Sequence, residues 1–327
     1  MKTEMLIEFL ILLICTFAMT AILSHFVIPI LKSKKMGQKI LEIGPRWHKS
    51  KEGTPTMGGI CFIAAILLSV GGALAVNQKE IKSVLATLAL ACLNGLIGLI
   101  DDRAKLMKKK NEGLLAWQKY SLQLVAAGGY LFLLHLLGLE NTTLVLPYTD
   151  IAIDLGIGYY AVALIVITGM VNSVNLTDGI DGLAATMSLV VGGFFALAGF
   201  VAGTRSLTLL SAVLMGGMLG FLVYNFHPAR VFMGDTGSLF LGGFMTGCAF
   251  ALGQPLIILI CGLVFVFEAV SVMLQVSVFK LSGRKNRLFK MAPVHHHFEQ
   301  CGWSEYKIVT VFSIATLLFC AVAWLGL

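Results

Sequence analysis

Ten long apolar runs, each closed by a short polar stretch, organise the chain: residues 5–31, 57–76, 83–100, 120–139, 157–174, 183–202, 207–224, 239–253, 256–279 and 308–326. Crossing the hydrocarbon core of a bilayer takes roughly 20 apolar residues in helical form. Each run therefore predicts a transmembrane helix, the short and glycine-rich eighth fitting that length least well. The first run covers about twenty-five residues, has only Lys2 as a nearby cation, and is followed by Lys32, Lys34 and Lys35. No small-residue cleavage site follows it, so it reads as a span and not as a signal peptide. Between the fourth and fifth runs, ENTTLVLPYTDIAIDLG (140–156) alternates in polarity around Pro147 and predicts a small β-hairpin.

Composition narrows the class. Of 327 residues, 57% are hydrophobic and 13% charged, against about 25% charged in soluble domains. The expectation is an all-α polytopic integral membrane protein of about ten transmembrane helices. Neither an internal repeat nor a low-complexity linker divides it, so 1–327 reads as one transmembrane domain. The seven cysteines form no C-x-x-C pair and lie mostly in apolar runs, where cysteine behaves as a small hydrophobe.

Charge sets the orientation. The loops 32–56, 101–119, 175–182, 225–238 and 280–307 share one side and hold twenty of the 24 Lys and Arg residues. Lys2, Lys79, Lys82 and Arg205 are the other four. By the positive-inside rule the basic side is cytoplasmic and both termini are extracytoplasmic. Every unusual polar cluster falls on that side.

Asp101 and Asp102 close the third run, ahead of RAKLMKKKNEGLLAWQK. Adjacent acids at a span end can be a solvated helix terminus. Beside so many cations they also suit phosphates bridged by a divalent metal. In NSVNLTDGIDGLA (172–184), Asn175, Asp178 and Asp181 recur every third residue, on one helical face or around one turn. The spacing does not fit a calcium loop. Asn175-Leu-Thr177 and Asn141-Thr-Thr143 match only a weak glycosylation pattern. In NFHPARVFMGDTGS (225–238), Asp235 lies between Gly234 and Gly237. There Phe232 either packs the loop or stacks on a nucleobase. APVHHHFEQCGWSE (292–305) carries three consecutive histidines, which cannot easily face one ion and lack a zinc spacing. Phosphate binding is the better reading. Lys49 and Lys51 precede Thr54-Pro55-Thr56-Met57-Gly58-Gly59, where Thr54 and Pro55 predict a helix start. Two ionisable groups fall at mid-span, His25 and Glu268, and Glu268 has no evident partner in the sequence. The set fits metal-dependent phosphoryl chemistry between a soluble anionic donor and a membrane-held acceptor.

GTPTMGG, NSVNLTDGIDGLAA, VFMGDTGS and PVHHHFEQCGW, in that order and on one side, resemble the bacterial phospho-N-acetylmuramoyl-pentapeptide transferases, within the polyprenyl-phosphate N-acetylhexosamine-1-phosphate transferase superfamily. The resemblance covers about residues 45–310. It implies transfer from UDP-N-acetylmuramoyl-pentapeptide to undecaprenyl phosphate, giving lipid I and UMP, with Mg²⁺, at the inner face of the plasma membrane. It further implies that Asp101, Asp102 and Asp235 are catalytic and that Asp235 and Asn175 bind the metal. Asn175, Asp178, Asp181, Lys51, Thr56, Asn225 and Phe232 match the nucleoside pocket, where nucleoside inhibitors bind. His295 and His296 match histidines important for activity, with His297 alongside, and Lys119 lies near the diphosphate. A homodimer and no nucleic-acid partner are expected. Two alternatives stand. A sister enzyme would take a plain UDP-N-acetylhexosamine, and the HHHFE segment with its GW separates the families. An ion-coupled transporter would carry its charges at mid-span. Direct in-line attack on the β-phosphorus and a two-step route through a phospho-aspartyl intermediate both remain open.

Overall fold

The computed structural model describes residues 2–34, 51, 53–78, 80–108, 113–149 and 151–327. Lys49 and most of the basic residues of 32–56 lie outside these. Among the described residues twelve helices and one hairpin follow in order: α1 Lys2–Ser33, α2 Gly59–Val76, α3 Ile81–Lys108, α4 Ala116–Leu137, β1 Thr143–Val145, β2 Ala152–Asp154, α5 Gly158–Thr177, α6 Leu183–Ala202, α7 Arg205–Asn225, α8 Gly234–Ala251, α9 Ile257–Cys261, α10 Leu263–Leu281, α11 Val294–Gln300 and α12 Glu305–Trp324. The two strands pair antiparallel with Leu144 opposite Ile153, which is the expected hairpin.

Among the described residues, eight helices are long and apolar enough to cross a membrane: α1, α2, α3, α5, α6, α7, α10 and α12. The other two predicted spans, α4 and α8, are helices that fall short of that standard. α8 does so because glycine, threonine and Asp235 dilute its apolar character. It is nevertheless almost wholly buried, and its small residues let backbones meet. A Cβ on Gly98 of α3 would lie 2.1 Å from the carbonyl oxygen of Asp235. A Cβ on Gly59 of α2 would lie 2.4 Å from the Cα of Gly237. The Gly216-x-x-x-Gly220 face of α7 seats α1 in the same way, each added Cβ falling 2.4–2.5 Å from an α1 carbonyl oxygen. In the most apolar window of each helix, 78% is buried in α7 against 22% in α1. Ile11, Ile14, Ile22 and Phe26 of α1 are exposed, as a lipid-facing helix requires.

Four local departures from the predicted boundaries shape the site. α3 runs on past the third apolar run to Lys108, so Asp101 and Asp102 are helical. Good helix formers and Lys105 one turn after the acids support this. α8 begins at Gly234, placing Asp235 in its first turn and not in a loop. Thr54-Pro55 does not start α2, which begins at Gly59. Instead the segment pairs with the one before α8: Phe232 N–H donates to Pro55 O (2.8 Å), and Gly58 N–H to Phe232 O (2.8 Å). Finally, the ninth predicted span breaks at Gly262 into α9 and α10, and the loop 280–307 contains α11.

Candidate active site

Two groups of side chains meet at the end of the bundle opposite the hairpin. The first joins α3, α4, α5 and α8. The carboxylates of Asp101, Asp102 and Asp235 each present an oxygen within 4.8 Å of the others. Asp102 is 1% exposed and caps α8: its Oδ2 accepts from Thr236 N–H (2.9 Å) and Thr236 Oγ1 (2.7 Å), its Oδ1 from Asp235 N–H (3.2 Å). Free N–H groups at a helix start favour such a carboxylate. Asp101 Oδ1 accepts from Leu114 N–H (2.7 Å). Lys105 Nζ lies 2.7 Å from Asp101 Oδ2 and 3.0 Å from Asp235 Oδ2. Lys119 Nζ lies 2.6 Å from the same Asp235 oxygen and 3.0 Å from Asn175 Oδ1. Asn175 Nδ2 donates to Asp235 Oδ1 (3.1 Å) and Ser238 Oγ (2.8 Å).

An all-oxygen set of three carboxylates suits a hard dication such as Mg²⁺. Asn175, the second metal ligand implied by resemblance, turns its Oδ1 to Lys119, so its oxygen reaches a cation only once Lys119 moves away. The middle member of the NLTDGID turn, Asp178, sits close by. Burial, and after it the negative charges of Asp235, Asp102 and Asp181, push its carboxyl up to about 8. It is therefore largely protonated at neutral pH.

The second group joins the segment at Lys51 to the turns before α6 and α8 and to the start of α12. Lys51 Nζ lies 2.7 Å from Asp181 Oδ1 and 2.7 Å from the Glu305 carboxylate. Asp181 Oδ2 takes Ala229 N–H (2.9 Å) and lies 2.9 Å from His227 Nδ1. Asn225 braces the neighbouring turns, accepting from Gly182 N–H (3.2 Å) and donating to Val231 O (2.9 Å). A cavity of about 520 Å³ opens here, lined by Lys51, His227, Glu299, Trp303, Glu305 and Tyr306. Phe232 is half-buried on the strand-like segment between Asn225 and Asp235, and Thr56 is buried near Gly234.

The three histidines of α11 take different partners, although the ring centres of His295 and His296 lie only 4.1 Å apart. His295, fully buried, places Nδ1 3.1 Å from Glu268 Oε2, and a Cβ on Gly179 would lie 2.2 Å from its Nε2. His296 Nδ1 lies 2.5 Å from Glu299 Oε2. His297 Nδ1 accepts from Lys290 N–H (3.1 Å). Successive helical residues point about 100° apart, so no single ion can collect all three. Glu268, unpartnered to the eye in sequence, is the buried partner of His295. Lys105, His227, Glu268 and Glu305 are the site residues that motif reading left out. Of these only Lys105 carried a local signal, at i+4 from Asp101.

Comparisons with known proteins bear on the family of the chain. The profile of Glycosyl transferase family 4 matches residues 83–253, and the phospho-N-acetylmuramoyl-pentapeptide-transferase signature 1 matches residues 51–63. A phospho-N-acetylmuramoyl-pentapeptide-transferase of Clostridium botulinum (strain Alaska E43 / Type E3) is 42% identical over 317 residues, 96% of this chain and 95% of the relative. The Clostridium perfringens (strain SM101 / Type A) protein of that name is 42% identical over 315 residues, 96% and 95% of the two chains. Its Clostridium kluyveri (strain ATCC 8527 / DSM 555 / NBRC 12016 / NCIMB 10680 / K1) counterpart is 44% identical over 300 residues, 92% and 93%. Identity at this level across nearly the whole length, with the signature falling on the Lys51 segment that closes the site, makes the chain a member of the phospho-N-acetylmuramoyl-pentapeptide-transferase family.

Proposed function

We propose that the chain moves phospho-N-acetylmuramoyl-pentapeptide from UDP to undecaprenyl phosphate, releasing UMP and leaving lipid I, and that the residues above divide the work as follows. The observation that carries the proposal is the meeting of Asp101, Asp102 and Asp235 with Lys105 and Lys119 at one end of a helical membrane bundle. Carboxylates for a dication beside ammonium groups for a diphosphate are the parts that phosphoryl transfer needs.

The acceptor is a phosphate monoester whose second pKa lies near 6, so it arrives largely ionised and needs little base. Asp101 takes any residual proton. Asp102 is committed to the first turn of α8, where it fixes the direction of Asp235. That commitment leaves it poorly placed as a nucleophile and favours direct attack on the β-phosphorus over a phospho-aspartyl route through Asp102. Lys105 and Lys119 steady Asp235 and set positive charge where the diphosphate lies. Mg²⁺ held by Asp235, and by Asn175 once Lys119 turns aside, would neutralise the charge that grows on the leaving UMP. Lys51, Asp181, Asn225 and Phe232 hold the nucleoside, with Thr56 behind them. Protonated Asp178 offers a donor, His296 borders the sugar phosphate, and His295, buried against Glu268, backs the turn at Gly179.

The same proposal has α4 and α8 complete ten spans in a bacterial plasma membrane, with the site cytoplasmic and both termini outside. It also includes the homodimer and the nucleoside-inhibitor site that the resemblance implies. The deciding assay uses purified protein with UDP-N-acetylmuramoyl-pentapeptide, undecaprenyl phosphate and Mg²⁺. UMP release that requires both substrates and stops with chelator is the expected result. Turnover of UDP-N-acetylglucosamine instead would favour the sister activity. Labelling of Lys285→Cys by an impermeant reagent in intact cells would reverse the orientation.

A further inference from the structure

We propose that Glu305 is a positioning residue for nucleotide recognition, acting through Lys51 and Asp181; this rests on the reading that those two residues line the nucleoside pocket. Glu305 opens α12 and is 8% exposed. Ser304 caps the helix, its Oγ accepting from Lys307 N–H at 3.3 Å, which fixes the turn that carries the carboxylate. Both partners of Glu305 come from distant parts of the chain: Lys51 Nζ at 2.7 Å, and the backbone N–H of Asp181 at 3.1 Å. His227 Nδ1 stands 3.6 Å away, and Tyr306 next in the helix donates its hydroxyl to His227 O at 2.7 Å.

Chemistry explains why the pocket needs such a group. Lysine is a compact charge on a flexible four-carbon stem. Paired with Asp181 alone, Lys51 would be free to swing and would cancel the acid that a nucleobase must meet. Held between two carboxylates, the ammonium keeps one position, shares its charge, and retains a third donor for a ligand. Asp181 in turn receives Ala229 N–H at its side chain and gives its own N–H to Glu305, so the turn carrying it is pinned from both sides. The oxygens of Glu305 are engaged by Lys51 and Asp181, which assigns it to placement and not to ligand contact.

Glu305→Gln tests this. The amide keeps the size and an oxygen for Asp181 N–H but removes the charge from Lys51. Calorimetric titration with UMP should show about tenfold weaker binding, as for the loss of one charge-assisted contact. The KM for UDP-N-acetylmuramoyl-pentapeptide should rise to a similar degree, while the KM for undecaprenyl phosphate holds. Glu305→Asp, which keeps the charge on a shorter arm, should recover UMP affinity to within about threefold of wild type. In a Lys51→Met background, Glu305→Gln should add less than about twofold, because coupled residues are non-additive. The proposal is overturned by unchanged UMP affinity in Glu305→Gln, or by a full additional loss in the Lys51→Met background with the acceptor KM rising in step. Should Lys51→Met itself leave UMP affinity unchanged, the nucleoside-pocket reading fails, and Glu305 loses its role with it.

Discussion

The two ends of the bundle handle buried charge in opposite ways. At the hairpin end Arg205 reaches both oxygens of Glu8 and donates to Asn77 O, while Glu80 accepts from Ser206 N–H (2.8 Å) and Ser206 Oγ (2.6 Å) at the start of α7. Arg205 and Glu8 answer one another and Glu80 caps α7, and the result is a clasp between α1, α7 and the turn before α3. At the opposite end Asp101, Asp102 and Asp235 crowd together, with Lys105 and Lys119 their ammonium partners among the described residues. Three acids against two ammonium groups leave negative charge unmatched in a poorly solvated place, which is unfavourable for a resting fold. Balanced charge holds helices; unbalanced charge waits for a ligand.

Substitutions at the two ends should therefore separate activity from stability. Asp235→Asn should lower turnover at least a hundredfold, since losing a charged ligand removes several kcal/mol of transition-state stabilisation at about 1.4 kcal/mol per decade. Its melting temperature should hold or rise. A rate within about threefold of wild type would remove Asp235 from the chemistry. Arg205→Met is the converse: stability should fall by about 1–3 kcal/mol as Glu8 loses its partner, while kcat per folded molecule stays put. Chemical denaturation in detergent checks the first, and active-site titration the second.

Within the site end, Phe232→Ala should raise the KM for the UDP substrate roughly tenfold, the low end of what base stacking contributes, with the acceptor KM unmoved. Unchanged affinity for a uridine-mimicking inhibitor together with a lowered melting temperature would make Phe232 a packing residue. The smallest effect concerns Asp178. Its folded carboxyl titrates near 8 against about 3.9 when unfolded, so between those values the folded chain holds a proton the unfolded chain has lost. Stability then falls as pH rises across that window. Asp178→Asn should flatten the trend by about one to two degrees of melting temperature per pH unit, and parallel melts between pH 5 and 8 decide it.

What could be read from the chain beforehand was whatever repeats locally or travels in a motif. Apolar runs announced a helical membrane protein, alternation around Pro147 announced the hairpin, and four motifs announced the family. Helix ends were harder, because polarity marks where apolar character stops and not where the helix does. Asp102 shows why: by accepting the first N–H groups of α8 it lets that helix begin at Gly234, and the cap comes from a residue 133 positions away from Asp235. Lys51 and Asp181 stood in motifs, but nothing local joined them to His227 and Glu305, since the four meet across as many as 254 positions. Glu268 likewise looked alone until α11 brought His295 beside it.

Gly98 carries a consequence for how this family can vary. With α3 and α8 in backbone contact at that point, 2.1 Å from where a methyl group would sit, neither helix has travel left in the direction that brings Asp235 closer to Asp101 and Asp102. The gap between the acids is machined into the main chain, as a mechanical stop sets a gauge. Laboratory evolution that seeks a smaller cation cannot narrow that gap by pressing the helices together. It must lengthen the arms that project into it.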